Sequence, residues 1–399
     1  MAAGPSRVVV VGASLAGVRA AEALRRDGFD GTLTIVGEER HAPYDRPPLS
    51  KQLLTGRVGA EGTALGADGD LGAEWRLGCR AEGLDLGRRT VALAGGETLP
   101  FDGLVIATGS APRRTAALSE RYGIHLLRTL DDALALRAAL TDGSPRVVVV
   151  GAGVIGLEVA SSARAIGREV TVVEAAPTPL VRVVGPALGP VVARLHQAWG
   201  VELRLGVTVE AVEGRHRVEA VRLADGDAVP ADLVVVGIGA SPATAWLEAS
   251  GVDLDDGVRC DSRLRVLAGG RPLPHVVAAG DTARWDRPGA GPARLEHWTN
   301  AVESATAAAA ALLRGDDAPA YEPVPYMWSD QHDRKIQVVG FPQPGDEVAV
   351  VDGSLEQRRF AAAFGRAGQL TGAVGFGRPA KVMALRRLLE DGGAFPPAL

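Results

Sequence analysis

Short, wholly apolar runs separated by glycine turns set the pattern of this chain. Val8–Val11 are four β-branched residues in succession, too short a run for a helix, and they predict a strand buried on both faces. A turn at Gly12 follows, then the helical stretch LAGVRAAEALRR and a second apolar strand, TLTIVG, that ends at Glu38. Strand, glycine turn, helix and strand make a parallel βαβ unit whose turn lies at a helix N-terminus. Residues 146–176, RVVVVGAGVIGLEVASSARAIGREVTVVEAA, repeat the arrangement.

Elsewhere the pattern is looser. Residues 39–54, ERHAPYDRPPLSKQLL, hold three prolines and predict a stiff loop leading into a short helix capped by Ser50. Residues 71–105 alternate weakly, with turn signals at Gly87, Gly95 and Gly96, and predict short antiparallel strands. Each βαβ unit is closed by an apolar strand that runs out in small residues and a proline, ATGSAP at 107–112 and GIGASP at 237–242. Small residues there admit the close approach of a ligand or another backbone. Residues 200–236 predict three short strands with a hairpin at Asp225-Gly226. HVVAAGDTAR (275–284) predicts another buried strand, and EHWTNAVESATAAAAALLR (296–314) an alanine-rich helix capped by Thr299 or Asn300. A proline-rich linker spans 318–325, and alternating strands with a last helix fill 326–399.

Composition bounds what these elements build. A chain of 399 residues is long for one core and predicts two or three domains. With 43 basic against 48 acidic residues, no strongly basic surface points to nucleic acid or an anionic membrane. Apolar runs break before the roughly 18 residues of a membrane span, and Arg7 leads straight into the first strand, so a cytoplasmic protein is expected. Cys79 and Cys260 lie far apart with no C-x-x-C pair, which leaves no place for a disulfide between sequence neighbours. No metal centre is expected.

The two turns carry the candidate chemistry. Gly12 and Gly17 hold the outer positions of G-x-G-x-x-G around Ser14, and Gly151, Gly153 and Gly156 complete the motif in the second copy. Two such turns predict two dinucleotides, each with its pyrophosphate on a helix N-terminus. Glu38 and Glu174 end the second strand of each copy, where a carboxylate accepts hydrogen bonds from a ribose. A 2′-phosphate beside Glu174 would cost roughly 4 kcal/mol per charge pair, for a separation of about 4 Å and an effective dielectric near 20. NADH is therefore expected over NADPH; Arg182, a compensating cation, is cut off by Pro177 and Pro179. Asp281, at a strand's C-terminal end, is either a ligand-holding acid or an Asx-turn cap. The helix beyond it offers N-terminal amides to negative charge. Trp328, Ser329, Asp330 and Gln331 stand out in a chain with 4% aromatics, Trp328 being either a packing residue at a domain seam or part of a site.

Taken in order, GASLAG, APYDRPPLSK, ATGS, GAGVIGLEVA, GIGASP, AAGDTA, EHWTNA and WSDQ resemble, from end to end, the flavin-dependent NADH:ferredoxin reductases of the rubredoxin and putidaredoxin reductase type. The resemblance implies a glutathione-reductase-like α/β fold with two Rossmann-like dinucleotide-binding domains and a C-terminal α+β domain. The FAD domain would be split into residues 1–112 and 243–320 around an NAD domain at 113–242, with 321–399 as the C-terminal domain. Implied FAD contacts are Gly12, Ser14, Leu15, Ala16, Gly17, Glu38, Arg46, Lys51, Ala107, Thr108, Gly109, Arg128, Gly280, Asp281, His297 and Trp298. The NADH side is implied at Gly151, Gly153, Val154, Ile155, Gly156, Glu158, Glu174, Gly237 and Gly239. In such relatives the lysine of the PPLSK loop and the glutamate of GLEVA lie near flavin N5. Lys51 and Glu158 would then form a buried ion pair where the nicotinamide stacks, with Trp328 guarding the flavin beside the acceptor surface.

The implied activity is passage of electrons from NADH through FAD to a [2Fe-2S] ferredoxin that serves a cytochrome P450 or another oxygenase, by a monomer or homodimer. Hydride transfer needs no general acid or base, so His297 and His332 are expected to be hydrogen-bonded bystanders. An NADH oxidase or quinone reductase would belong to the same class; a redox-responsive protein like the apoptosis-inducing flavoproteins is a reading from another class. Relatives acting on peroxide or disulfides carry a cysteine just after the first βαβ unit, where this chain has Tyr44, Asp45 and Arg46. The helix from Asn300 to Leu313 lacks Lys and Arg, so docking charge for an acidic ferredoxin is expected from Arg314, Arg334 or Lys335.

Overall fold

A computed structural model describes residues 4–397 except 67–68, 116–117, 119–121 and 288–289. The chain divides into two compact units, one of Met1–Asp45, Ala64–Ala111 and Ser241–Pro323, the other of Arg46–Thr63, Pro112–Ala240 and Val324–Leu399. Among the described residues the α-helices are α1 (Leu15–Arg26), α2 (Leu130–Thr141), α3 (Val154–Ala165), α4 (Val181–Ala198), α5 (Trp298–Arg314) and α6 (Pro379–Glu390). None is long and apolar enough to cross a membrane.

In the first unit, strand Arg7–Val11 pairs in parallel with Thr32–Gly37 on one side and Gly103–Ile106 on the other. Val8–Val11 are at most 3% exposed, as a strand covered on both faces requires. Ala73–Leu77 extends this sheet in parallel, instead of joining the antiparallel strands expected across 71–105. Ala81–Asp85, Thr90–Leu93 and Thr98–Pro100 do form an antiparallel sheet. Arg271–Ala278 pairs in parallel with Gly103–Ile106, so the late segment rejoins the early sheet. α1 and α5 pack together. Alanines buried along both, among them Ala20, Ala23, Ala305 and Ala308, leave no bulk to hold the two helices apart. α5 begins at Trp298 with His297 as N-cap, ahead of the expected Thr299 or Asn300. The Asn300 amide instead reaches back to the Leu295 carbonyl at 2.9 Å.

The second unit repeats the motif. Arg146–Val150 lies between Glu169–Glu174 and Leu233–Val236, all parallel, and Val201–Leu205 extends the sheet. The segment that reads as one strand from residue 200 divides at Gly206, whose φ of 73° turns the chain. Its second half, Val209–Glu213, opens an antiparallel sheet with Ala220–Leu223, and the hairpin at Asp225-Gly226 leads to Ala228–Pro230. Residues 46–63 belong to this unit although the sequence reading keeps them with the first. The helix expected after the proline loop is a run of turns over residues 47–56. Lys51 and Leu53 both donate to the Pro48 carbonyl and Arg57 to that of Gln52, so three- and five-residue spacings interrupt the regular i→i+4 ladder. An antiparallel sheet of five strands, Tyr326–Gln331, Arg334–Gly340, Gln369–Phe376, Arg359–Arg366 and Glu347–Ser354 in spatial order, packs with α6.

α4 ties into this sheet through two imidazoles. His196 is fully buried; its Nε2 lies 3.0 Å from Gln331 Oε1 and its Nδ1 lies 3.1 Å from Nε2 of His332. Burial pushes the His196 pKa down to about 4 against the pull of Gln331, and that of His332 down to about 3, with His196 and Arg164 adding to the effect. Unfolded, both rings titrate near 6.5. The folded state therefore binds fewer protons below that pH, and its stability falls as pH drops from about 6.5 towards 4. The expected result is a thermal midpoint that declines across this window, with a shallower decline in His196→Gln; equal slopes would show that the ring is not held neutral.

Candidate dinucleotide turns and a buried ion pair

The outer glycines of both turns are demanded by the chain itself. A Cβ at Gly12 (φ 123°) would stand 2.1 Å from the Ala107 carbonyl oxygen, and one at Gly17 would stand 1.7 Å from that of Gly12. The second copy is alike: 2.4 Å from Gly151 (φ 103°) to the Gly237 oxygen, and 2.1 Å from Gly156 to the Gly151 oxygen. The middle position differs. At Gly153 the nearest atom is the Gly237 oxygen at 3.9 Å, so a Cβ meets no close contact there and only an outside group makes smallness necessary. Ser14 takes the same place in the first copy. Ser14 caps α1 and Gly153 caps α3 with no side-chain bond to the helix amides, and neither first turn holds an acid. These helix ends fit a pyrophosphate.

Around the first turn, Leu15 and Ala16 are buried and Glu38 is exposed at the strand end. Gly280 (φ 70°) comes so close that its Cβ would lie 2.9 Å from that of Ala16. Asp281 accepts a 2.9 Å hydrogen bond from Ser110, Thr108 donates to the Ala243 carbonyl at 2.8 Å, and Gly109 has a φ of 71°. His297 caps α5 without a side-chain bond, and its buried Nδ1 has no partner. Burial lowers its pKa to about 4, opposed by Asp281. Trp298 Nε1 donates to Asp45 at 3.0 Å. Three further residues expected on the FAD side, Arg46, Lys51 and Arg128, lie in the second unit, where the Arg46 guanidinium donates to the Arg128 carbonyl.

Around the second turn, Val154 is half-buried and Ile155 is 45% exposed, an apolar side chain left open beside the glycines. Gly237 supplies the carbonyl that Gly151 abuts, and Gly239 has a φ of 100°. Glu174 is already engaged: its two oxygens accept from the backbone amides of Ala152 at 2.6 Å and Ala176 at 2.8 Å. The acid thus pins the turn to the strand end, and each oxygen keeps a further lone pair able to accept.

Lys51 and Glu158 form the ion pair that the resemblance implies. Lys51 Nζ lies 2.8 Å from Glu158 Oε2, with the side chains 13% and 2% exposed. Ser50 also donates to Oε2, at 2.5 Å, and Ser329 to Oε1, at 2.6 Å. Ser50, His196 and Ser110 are functional candidates that sequence reading did not single out; only Ser329 and Gln331 carried a signal, through WSDQ. Trp328 stacks on Tyr326 at 5.9 Å, with Lys335 Nζ 6.0 Å from its ring centre. The cations expected to dock a ferredoxin are each paired with an acid: Arg314 with Asp27, Arg334 with Asp333 and Lys335 with Asp330. Neighbouring carboxylates offset their charge, so they do not form a free basic patch. Burial pushes the Cys260 thiol up, Cys79 is also free, and no cluster of metal-binding side chains occurs among the described residues.

A family model described as pyridine nucleotide-disulphide oxidoreductase matches residues 6–305, and one described as reductase C-terminal matches residues 326–399. The p-cumate 2,3-dioxygenase system ferredoxin–NAD(+) reductase component of Pseudomonas putida is 39% identical over 341 residues, covering 84% of this chain and 81% of that protein. Putidaredoxin reductase of Pseudomonas putida is 33% identical over 399 residues, covering 96% and 92%. Among solved structures, the covalent putidaredoxin reductase–putidaredoxin complex matches with a TM-score of 0.91 at 32% identity, over 98% of this chain and 94% of that one. With two glycine turns on two sheets whose central strands run parallel and an antiparallel C-terminal sheet, the chain belongs to the pyridine nucleotide-disulphide oxidoreductase family, among its ferredoxin–NAD(+) reductases.

Proposed function

We propose that this chain passes electrons from NADH through FAD to a [2Fe-2S] ferredoxin serving a cytochrome P450 or another oxygenase. The observation that carries the reading is the doubled turn, open at its middle position in the second unit, on a chain similar over nearly its whole length to ferredoxin reductases. When bound, the flavin supplies a hydride acceptor that can release electrons one at a time. The chain's own residues bind and orient. Gly12, Ser14 and Gly17 offer the α1 amides to the FAD pyrophosphate, Glu38 its carboxylate to the ribose, and Asp281 its carboxylate to a flavin hydroxyl. Gly151, Gly153 and Gly156 do the same for NADH with Glu174. Lys51 and Glu158 orient the nicotinamide, and the α5 amides at Trp298 favour negative charge on the reduced ring. Thiol chemistry is disfavoured, since Tyr44, Asp45 and Arg46 stand where thiol-dependent relatives carry cysteine and Cys260 is fully buried.

Three outcomes follow. In anaerobic stopped flow, NADH bleaches the flavin at least about tenfold faster than NADPH, a difference of about 1.4 kcal/mol; equal rates would remove Glu174 from selectivity. Lys51→Met, which leaves Glu158 buried and unpaired, loses about 3–5 kcal/mol of stability and slows flavin reduction at least about tenfold. A wild-type rate in a folded variant would sink the role of the pair. Steady-state NADH oxidation rises on adding a [2Fe-2S] ferredoxin well above that with quinone or oxygen; if ferredoxin adds nothing, an oxidase or quinone reductase is the better account.

A further inference from the structure

Beyond Ser329, the contacts of Glu158 continue into a chain that the proposed function does not use. Ser329 Oγ accepts from Gln331 Nε2 at 3.0 Å, Gln331 Oε1 faces His196 Nε2 at 3.0 Å, and His196 Nδ1 faces His332 Nε2 at 3.1 Å. His332 stacks on Trp199, ring centres 5.2 Å apart and planes within 7°. Ser329, Gln331 and His196 are at most 1% exposed, and Trp199 is 46% exposed, so the chain runs from a buried charge almost to solvent. His332 is held at its end in a left-handed conformation, φ 53°, with its amide donating to Ser161 Oγ at 2.6 Å.

The acid dictates the direction of every link. Paired with the Lys51 ammonium, the carboxylate only accepts. Ser329 has one proton and gives it to Glu158, so its oxygen must accept, which turns the Gln331 NH2 towards it and the Gln331 carbonyl towards His196. That carbonyl requires an N–H, so His196 is protonated on Nε2 and bare on Nδ1, and His332 must donate from Nε2. One charge thus orders four neutral groups. An amide in the middle does not readily hand protons on, so the chain conveys orientation and not a proton current.

We propose that Ser329, Gln331, His196 and His332 are positioning residues that hold the Glu158 carboxylate in one orientation against Lys51, and that the carboxylate in turn fixes the tautomers of both imidazoles. The functional half rests on the reading of the Lys51–Glu158 pair as the element that orients nicotinamide; the tautomer half stands without it.

Both halves are tested on the flavin-loaded protein. Nitrogen-15 spectra of histidine-labelled wild type at neutral pH show His196 and His332 as Nε2–H tautomers. In Glu158→Gln, Lys51 and Ser50 still require an acceptor, so the new amide presents its carbonyl to them and its NH2 to Ser329. The whole chain then reverses, and His196 becomes the Nδ1–H tautomer. An Nδ1–H His196 in wild type, or no change in the variant, overturns the coupling. For the functional half, Gln331→Met slows flavin reduction at saturating NADH at least about tenfold while the NADH Kd stays within about twofold. A wild-type rate in Gln331→Met with a slowed Glu158→Gln overturns the positioning role and leaves the proposed function intact. Wild-type rates in both overturn the role of the pair itself. Should Gln331→Met fail to fold, His332→Phe, which keeps the stack on Trp199, replaces it with an expected loss of about threefold.

Discussion

At the outer glycines of each turn backbone meets backbone, and the functional architecture depends on that contact. A single methyl would stand 1.7 Å from a carbonyl oxygen at Gly17 and 2.1 Å from one at Gly156. The absence of side chains seats α1 and α3 directly on the ends of valine strands that are themselves almost wholly buried. The helix amides are thereby aimed past the strand ends, where open α/β sheets take their ligands.

The second unit invests in polarity as well as packing. A carboxylate that is 2% exposed is costly to bury, and three donors on its two oxygens offset that cost. A hydrophobic replacement would pack as well but would define no direction. A hydrogen-bonded chain continues from the carboxylate through Gln331 to His196, and the burial that holds those imidazoles neutral is expected to lower stability in acid.

Much of this was legible in the residues because two periodic signals agree. Val8–Val11 and Val147–Val150 are strands by composition, and the glycines after them are turns by spacing, so both βαβ units emerge with their glycine turns in place. Segments governed by distant partners were not legible. Residues 47–56 read as a short helix, but most of their backbone bonds take i→i+3 or i→i+5 spacings, and Leu54 is buried in the second unit's core. α4 is hidden by Gly185, Pro186, Gly189 and Pro190, which interrupt any helical pattern and kink the helix at Gly185. Gly206 gives no sign that it separates two sheets. The Lys51–Glu158 contact joins residues far apart in sequence, and only family resemblance pointed to it. The bystander reading of His332 caught its hydrogen bonding but not its partner, since no local signal links it to His196. The docking cations looked available because a sequence shows charge but not the carboxylate beside it.

The most direct test of the two-turn account is the flavin released on denaturing purified chains that carry Ser14→Leu or Gly153→Leu, at the middle position of each turn. The account predicts that the first variant loses its flavin, while the second keeps one flavin per chain that NADH no longer reduces. Flavin retained in both, or lost from both alike, would contradict the assignment of one turn to each dinucleotide.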